Sequence, residues 1–344
     1  MRVASAFVAC VAALWFSAAC SSPQGRAPSE GLAPSLAGPD VGFEAVSLFG
    51  TELERVELPA AFAREQGELL ERAVERLERE PGDVEAHVWV GRRLAYLGRY
   101  RDAVRVYTEA LERFPESSRL LRHRGHRNIT LRRLGAAVDD LTRAAATARA
   151  EADFFEEDGL PNQWDIPRST HRFNVFYHLG LAHYLRGEHR RAMAAWEEGL
   201  DAAVTTDDML VANLYWMSNA AVRLGDPDRA MELARRARPD MEILENGAYQ
   251  RLLLARAAGT SEALLSEASE ALPDGPGADR PVDWITLAYG VSVSRELVGA
   301  ESSAAALREI ILESGNWAAF GYIAAEADAA RVGRTREGEM EEPA

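Results

Sequence analysis

Beyond Cys10 and Cys20 the chain has no cysteine, so whatever folds downstream has no thiol for a disulfide or a thiolate-held metal. Lysine is missing altogether. All 39 basic residues are arginine, and with the abundant alanine and glycine this reads as the base composition of a genome, from which no function follows. Positive charge is also in deficit, 54 acidic residues giving a net charge of −15. Such a chain is repelled by DNA, RNA and anionic membrane faces, which removes nucleic acid from the expected partners. There is no Gly-rich phosphate loop, no Gly-x-Ser-x-Gly elbow and no His-Glu-x-x-His helix, so the common nucleotide and hydrolase routes lack support.

The histidines and carboxylates add little chemistry. His123 and His126 share one helix face, but among arginines that repel a cation; His178, His183 and His189 straddle a helix and the turn after it, with His183 and His189 at packing positions. Asp207 and Asp208 precede an apolar helical run and are expected to cap it, and Glu156-Glu157-Asp158 is expected to be a solvated loop. Neither a catalytic set, a metal nor a cofactor is expected. What the chain does have is 344 residues that are 47% apolar, ample for a core.

The first residues read as an address. Met1-Arg2, an apolar run from Val3 to Phe16, and Ser17-Ala18-Ala19 before Cys20 follow the positive, apolar, small-residue order of a secretory signal. Small residues directly before a cysteine resemble a bacterial lipobox, although Ser17 stands where Leu is usual. The resemblance implies that residues 1–19 are removed and that Cys20 is lipidated, placing the protein in the bacterial cell envelope, in the periplasm or on the outer membrane. Two other readings stay open: a cleaved signal without lipid, and an uncleaved anchor, since Val3 to Cys20 is about the ~18 apolar residues that span a bilayer. Residues 20–45 are expected to be a flexible tether, because Ser, Pro, Gly and Ala cannot offset the entropy of ordering.

Beyond the tether a 34-residue repeat emerges. Gly91 matches Gly125, Leu97 matches Leu131, Tyr100 matches Leu134, Ala103 matches Ala137, Tyr107 matches Leu141 and Ala110 matches Ala144. Gly91 and Ala103 let two backbones approach, Tyr100 and Tyr107 fill the gap between helices, and Pro115 ends the second helix. A third unit, about Phe173 to Ala202, keeps Gly180, Gly187, Ala192, Trp196 and Gly199; a fourth, about Asp208 to Ala237, keeps Gly225, Ala230, Ala234 and Ala237, with Ser218 in place of the first Gly. Weaker pairs follow at 246–272 and 282–314, Trp317 to Arg331 has the spacing of a capping helix, and Pro59 to Glu80 supplies the front cap. Residues 46–332 are thus expected to form the array, with an insertion at 151–172 and an acidic disordered tail at 333–344.

These units resemble the tetratricopeptide repeat, with His87 in place of the usual leading Trp. The resemblance implies an all-α, right-handed solenoid whose concave face is lined by the first helix of each pair. The stretches Asp158 to Pro167, Phe173 to Gly187, Asp207 to Ala212 and Trp317 to Glu326 also resemble a wider group of bacterial repeat proteins, which implies fold and no activity.

In the repeat register Arg92, Tyr96, Arg119, Arg122, His126, Tyr177, Tyr184 and Tyr215 fall on the inner face. Arginine forks and tyrosines there suit a protein or peptide partner, acidic or presenting its C-terminal carboxylate. The competing reading is that the arginines pair with acidic residues of adjacent helices and bind nothing else. The insertion, with Phe154, Phe155 and Trp164, reads either as a partner site over the groove or as a packed spacer plugging the joint between units two and three. The expected function is a non-enzymatic envelope scaffold holding a partner in its groove, with an assembly component using convex or edge surfaces as the alternative.

Overall fold

The computed structural model describes residues 42–270 and 281–341, with side chains placed as far as residue 333. Cys20, its leader and most of the tether lie outside the described residues. Fifteen helices make up most of that structure. A short antiparallel hairpin, β1 (Ala45–Val46) and β2 (Glu52–Leu53), comes first, at the junction of the expected tether and in the opening residues of the expected helical array. The front cap is α1 (Ala60–Arg79).

Six helix pairs follow: α2 (Val84–Tyr96) with α3 (Tyr100–Arg113), α4 (Ser118–Thr130) with α5 (Leu134–Ala148), and α6 (His171–Leu185) with α7 (His189–Glu198). After one short turn, α8 (Leu200–Ala203), come α9 (Asp207–Arg223) with α10 (Pro227–Ala234), and α11 (Gly247–Ala258) with α12 (Ser261–Ser269). The last pair is α13 (Val282–Leu297) with α14 (Glu301–Leu312), and α15 (Phe320–Glu341) closes the chain. The chain is an all-α solenoid of tetratricopeptide-like pairs. Its final helix runs as far as Glu341, into the stretch expected to be a disordered tail.

Local chemistry starts the helices where the sequence places them. The side chains of Asp83, Ser117, Thr170, Thr206 and Asp226 accept from the first free N–H groups of α2, α4, α6, α9 and α10. Within each of the first three pairs the small residue of the first helix meets a bulky one sixteen positions later. A methyl group on Gly91 would lie 2.2 Å from the Tyr107 ring, one on Gly125 2.6 Å from Leu141, and one on Gly180 2.3 Å from Trp196. In the fourth pair both sides change together: Ser218 replaces the glycine, Ala234 replaces the bulky partner, and the Ser218 hydroxyl donates 2.9 Å to the Ala230 carbonyl. The motif persists as complementarity of volume after its letters have changed.

The array departs from an open solenoid at its end. Helix α15 turns back to pack on α13, α14 and α6 instead of extending the stack. Its Glu326, 1% exposed, pairs with Arg132 at 2.7 Å. Arg132 also donates to the carbonyls of Thr130, at 2.6 Å, and Trp317, at 2.8 Å. Arg132 occupies the turn position held by Gly98 in the first pair and shares its left-handed backbone, at φ 60° against 71°. An L side chain there costs roughly 1 kcal/mol, which the buried bonds of its guanidinium offset. The β-hairpin joins the same closure, with Leu48 N–H donating 2.5 Å to Glu326 and Trp317 Nε1 donating 2.9 Å to the Glu54 carbonyl.

Candidate binding surface on the concave face

Helices α2, α4 and α6 line the inside of the first three pairs, but the chain covers much of that lining itself. The segment between α5 and α6 crosses it in extended form, held by a two-ended ladder: Glu156 N–H donates 3.0 Å to the Ser169 carbonyl and His171 N–H 2.9 Å to Phe154. Glu156, expected in a solvated loop, is 7% exposed. Its carboxylate accepts from Arg122 at 2.6 Å, Asn174 at 2.7 Å and His171 at 3.0 Å. Burial alone would raise its pKa; the Arg122 charge, the His171 bond and nearby Arg92 outweigh burial and hold it at about 2.

The neighbouring arginines grip main chain. Arg92 donates 2.8 Å to the Glu157 carbonyl and Arg93 donates 2.9 Å to that of Gly159, while Gly159 lies so close to Tyr96 that a side chain there would overlap the phenol. Arg119 pairs with Glu85 at 2.5 Å and lies 4.8 Å over the Phe154 ring. The inner face recognises an extended acidic peptide, and that peptide is the chain's own Phe154 to Gly159. One of the expected modes, arginines paired to acids of adjacent helices, holds for Arg119 alone; Arg122 pairs with the insertion.

The far end of the insertion is anchored as firmly. Arg168 pairs with Asp208 at 2.9 Å, and the Asp208 carboxylate accepts the N–H groups of Leu244, Glu245 and Asn246 at 3.0, 3.0 and 2.9 Å. Thr206, not the Asp207-Asp208 pair, supplies the α9 cap, and buried Asp208 instead organises a loop 36 to 38 residues away. Its acceptor role was invisible in sequence because every donor it serves is distant. Asn162 bridges the loop tip to Glu245 at 2.9 Å.

The expected groove residues divide into two groups. Arg92, Tyr96, Arg119 and Arg122 do meet the insertion, whereas His126 lies against His178 and Phe320. Tyr177, Tyr184 and Tyr215 do not face a groove: all three are buried, and their hydroxyls are spent inside the fold. Tyr177 accepts from Trp216 at 2.9 Å, Tyr184 and Tyr289 share a hydrogen bond of 2.7 Å, and Tyr215 donates to the Thr286 carbonyl at 2.9 Å. The physical reason is that α11, α13 and α15 fold across the inside of α6 and α9. Arg223 there pairs with both Glu296 and Asp328. The repeat register gave these tyrosines the right helix face but could not show that a later part of the chain occupies it.

Around His126 the surface stays electropositive. Arg127, absent from the expected set, donates 2.6 Å to His126 Nδ1 and sits over the Tyr100 ring. His126 lies 4.2 Å from the His178 ring and 5.3 Å from Phe320 of α15. Burial and the adjacent arginines push His123 and His126 well below the ordinary imidazole range and His178 to about 3. A separate open cleft of about 460 Å³ lies at the joint of the first two pairs, by Phe114, Ser118 and Arg119, with its charged groups already engaged. Among the described residues no group of three His, Cys, Asp or Glu could hold a metal ion, and no helix is long and apolar enough to cross a membrane.

No family model and no curated protein matches the chain. Several solved structures share its helix-pair arrangement in part. A tetratricopeptide repeat protein from Parabacteroides merdae is 14% identical, covering 77% of this chain and 94% of its own, with a TM-score of 0.45. YrrB, described as a tetratricopeptide repeat protein with an unusual peptide-binding site, is 11% identical over 76% of this chain and 99% of its own, at 0.40. MamA is 19% identical over 52% and 92%, at 0.38. At such identity and overlap the functional reading rests on the chain's own geometry.

Proposed function

We propose that the protein is a non-enzymatic scaffold of the bacterial cell envelope that holds a protein partner along the outer ridge of its insertion. One observation carries this. A loop pinned at both ends by buried ion pairs holds Phe155, Leu160, Trp164 and Ile166 out to solvent at 43 to 52% exposure. Four large apolar side chains within twelve residues of a firmly held segment are unfavourable in water unless something covers them. Rigid aromatic and aliphatic groups on such a segment are the usual anchors of protein interfaces. The insertion's cover over the concave face supports this edge over the groove as the partner's place. A peptide entering the groove instead must displace Glu156 from three bonds.

A photo-crosslinking residue at position 164, carried by the protein in its own cells, tests the proposal. The expected result is one adduct of reproducible mass, lost when Leu160 and Ile166 are changed to Asp in a chain of unchanged helix content and melting temperature. Absence of an adduct, or one that survives those changes, overturns it. Deleting the whole segment is not a usable test, since it strips Arg122 of its buried partner and unfolds the site. Lipid attachment at Cys20 belongs to the same proposal, supported by the order of residues 1–22. Cys20→Ala is expected to move the protein from the membrane to the soluble fraction and to remove the acyl mass from its N-terminal peptide.

A further inference from the structure

The tip of the insertion has a sign of charge as well as an apolar surface. Asn162 knots it. Its side chain donates 2.7 Å to the Ile166 carbonyl and accepts the N–H groups of Trp164 and Ile166 at 3.1 and 3.3 Å, while its own carbonyl accepts the Asp165 N–H at 2.9 Å. The same side-chain amide donates 2.9 Å to Glu245. Glu245 belongs to the loop between α10 and α11, in which the Glu242 N–H donates 2.7 Å to Asp207 and the Glu242 carboxylate accepts from Arg168 at 3.5 Å. Arg168 is also held by Asp208, at 2.9 Å. These bonds gather five carboxylates, Asp165, Asp207, Asp208, Glu242 and Glu245, around one guanidinium. Other basic groups along the insertion and this loop are engaged elsewhere. Arg238 pairs with Asp240, and Arg92 and Arg93 hold the carbonyls of Glu157 and Gly159 at the covered end.

Three of these carboxylates stand at the surface beside the apolar tip. Asp165 and Glu245 are exposed and form no ion pair among the described residues, and the Glu242 side chain is 73% exposed. Asp165 lies between Trp164 and Ile166 in the chain, both of them exposed. An apolar anchor bordered by one sign of charge selects its partner by repulsion as much as by contact. A second copy meeting this tip with its own tip would set the same carboxylates opposite one another. An anionic lipid surface, which exposed Trp, Leu and Ile would otherwise suit, is repelled in the same way.

We infer that the partner is a protein with a basic surface, which presents Lys or Arg around the apolar pocket that receives Trp164, so that the rim of Asp165, Glu242 and Glu245 meets opposite charge. This identity of the partner rests on the ridge being the docking surface and adds its sign. That sign is the reverse of the acidic peptide for which the arginines of the concave face are suited.

The test uses the full-length protein in its own cells with a photo-crosslinking residue at position 164, in a chain otherwise unchanged and in one that also carries Asp165→Asn, Glu242→Gln and Glu245→Gln. The amides keep the size of each side chain, Gln at 245 still accepts from Asn162, and Asn suits the left-handed backbone of residue 165, at φ 55°. Glu68→Gln, Glu71→Gln and Glu75→Gln on the exposed face of α1 remove the same charge elsewhere and serve as control. The adduct yield is expected to fall at least about fivefold when the tip is neutralised and to stay level in the control. The partner peptide crosslinked to the unchanged chain, sequenced by mass spectrometry, is expected to hold more Lys and Arg than Asp and Glu. An undiminished yield, a neutral or acidic crosslinked peptide, or an adduct of twice the chain's own mass overturns the inference and leaves the ridge as a protein-docking surface. No adduct from the unchanged chain, or an adduct with lipid alone, removes the ridge as a protein-docking surface and the inference with it.

Discussion

Asp158 and Glu156 stand two residues apart and respond to the same surroundings in opposite senses. Burial, aided by the charges of Glu245, Glu156 and Asp165, raises Asp158 to about 6, whereas Arg122 and His171 hold Glu156 at about 2 against its burial. A raised carboxyl gives stability that is complete below the unfolded value and is lost as pH climbs through the folded one. Asp158→Asn is therefore expected to stabilise the protein by roughly 1 to 2 kcal/mol at pH 8, discounted for its partial exposure, with the gain vanishing toward pH 4. Urea midpoints across that range check it. The histidines act in the other direction. His123, His126, His178 and His189 are all depressed, the last two to about 3 and about 4, so the unfolded chain takes up protons that the folded one refuses. Stability is expected to fall as pH drops from about 6.5 to about 4, because each of the four rings takes up a proton in the unfolded chain that the folded chain refuses. A flat response over that window contradicts the neutral state of these rings in the folded chain.

The helix pairs were legible because their determinants are local. A glycine and a bulky residue sixteen positions apart, a capping Asp, Ser or Thr, and a left-handed glycine at the turn all act within one hairpin. Gly180→Ala is expected to cost roughly 2 to 4 kcal/mol, since its methyl falls on the buried indole of Trp196, and Trp196→Leu in the same chain should recover part of that loss by taking the indole out of the methyl's way. A double-mutant cycle measures the recovery. The insertion and α15 were legible only as helix or loop. The partner of Glu156 is on α4 and that of Glu326 at the turn after α4, and a register that pairs one helix with the next says nothing of what an insertion or a closing helix touches. The cationic lining of the first two pairs was readable from the repeat register; its coverage by the same chain was not. The three tyrosines were misplaced for that reason, and Arg127 was missed because it sits one position beyond the inner-face register.

At the scale of the molecule, contacts between the two ends of the described chain replace the nearest-neighbour logic of a repeat array. Leu48 and Glu326, 278 residues apart, share a hydrogen bond, and Trp317 reaches Glu54 across 263. An open solenoid unfolds nearly unit by unit, with terminal repeats fraying first. This one is expected to unfold in a single transition sensed equally by probes in α1 and α13. Glu326→Ala leaves Arg132 buried without its carboxylate and is expected to cost about 3 to 5 kcal/mol. It should also split the transition, separating the first two pairs from the rest in hydrogen exchange.

The Arg132–Glu326 clasp also fixes how long the protein can be. Open arrays gain or lose units by duplication, because each new hairpin rests only on the one before it. Here an added pair would carry α15 past its seat on the second hairpin, and a lost one would leave it short. The number of pairs is set by the fit of the final helix, so change in such a lineage is channelled into loops, such as the one that carries Trp164, instead of into repeat number.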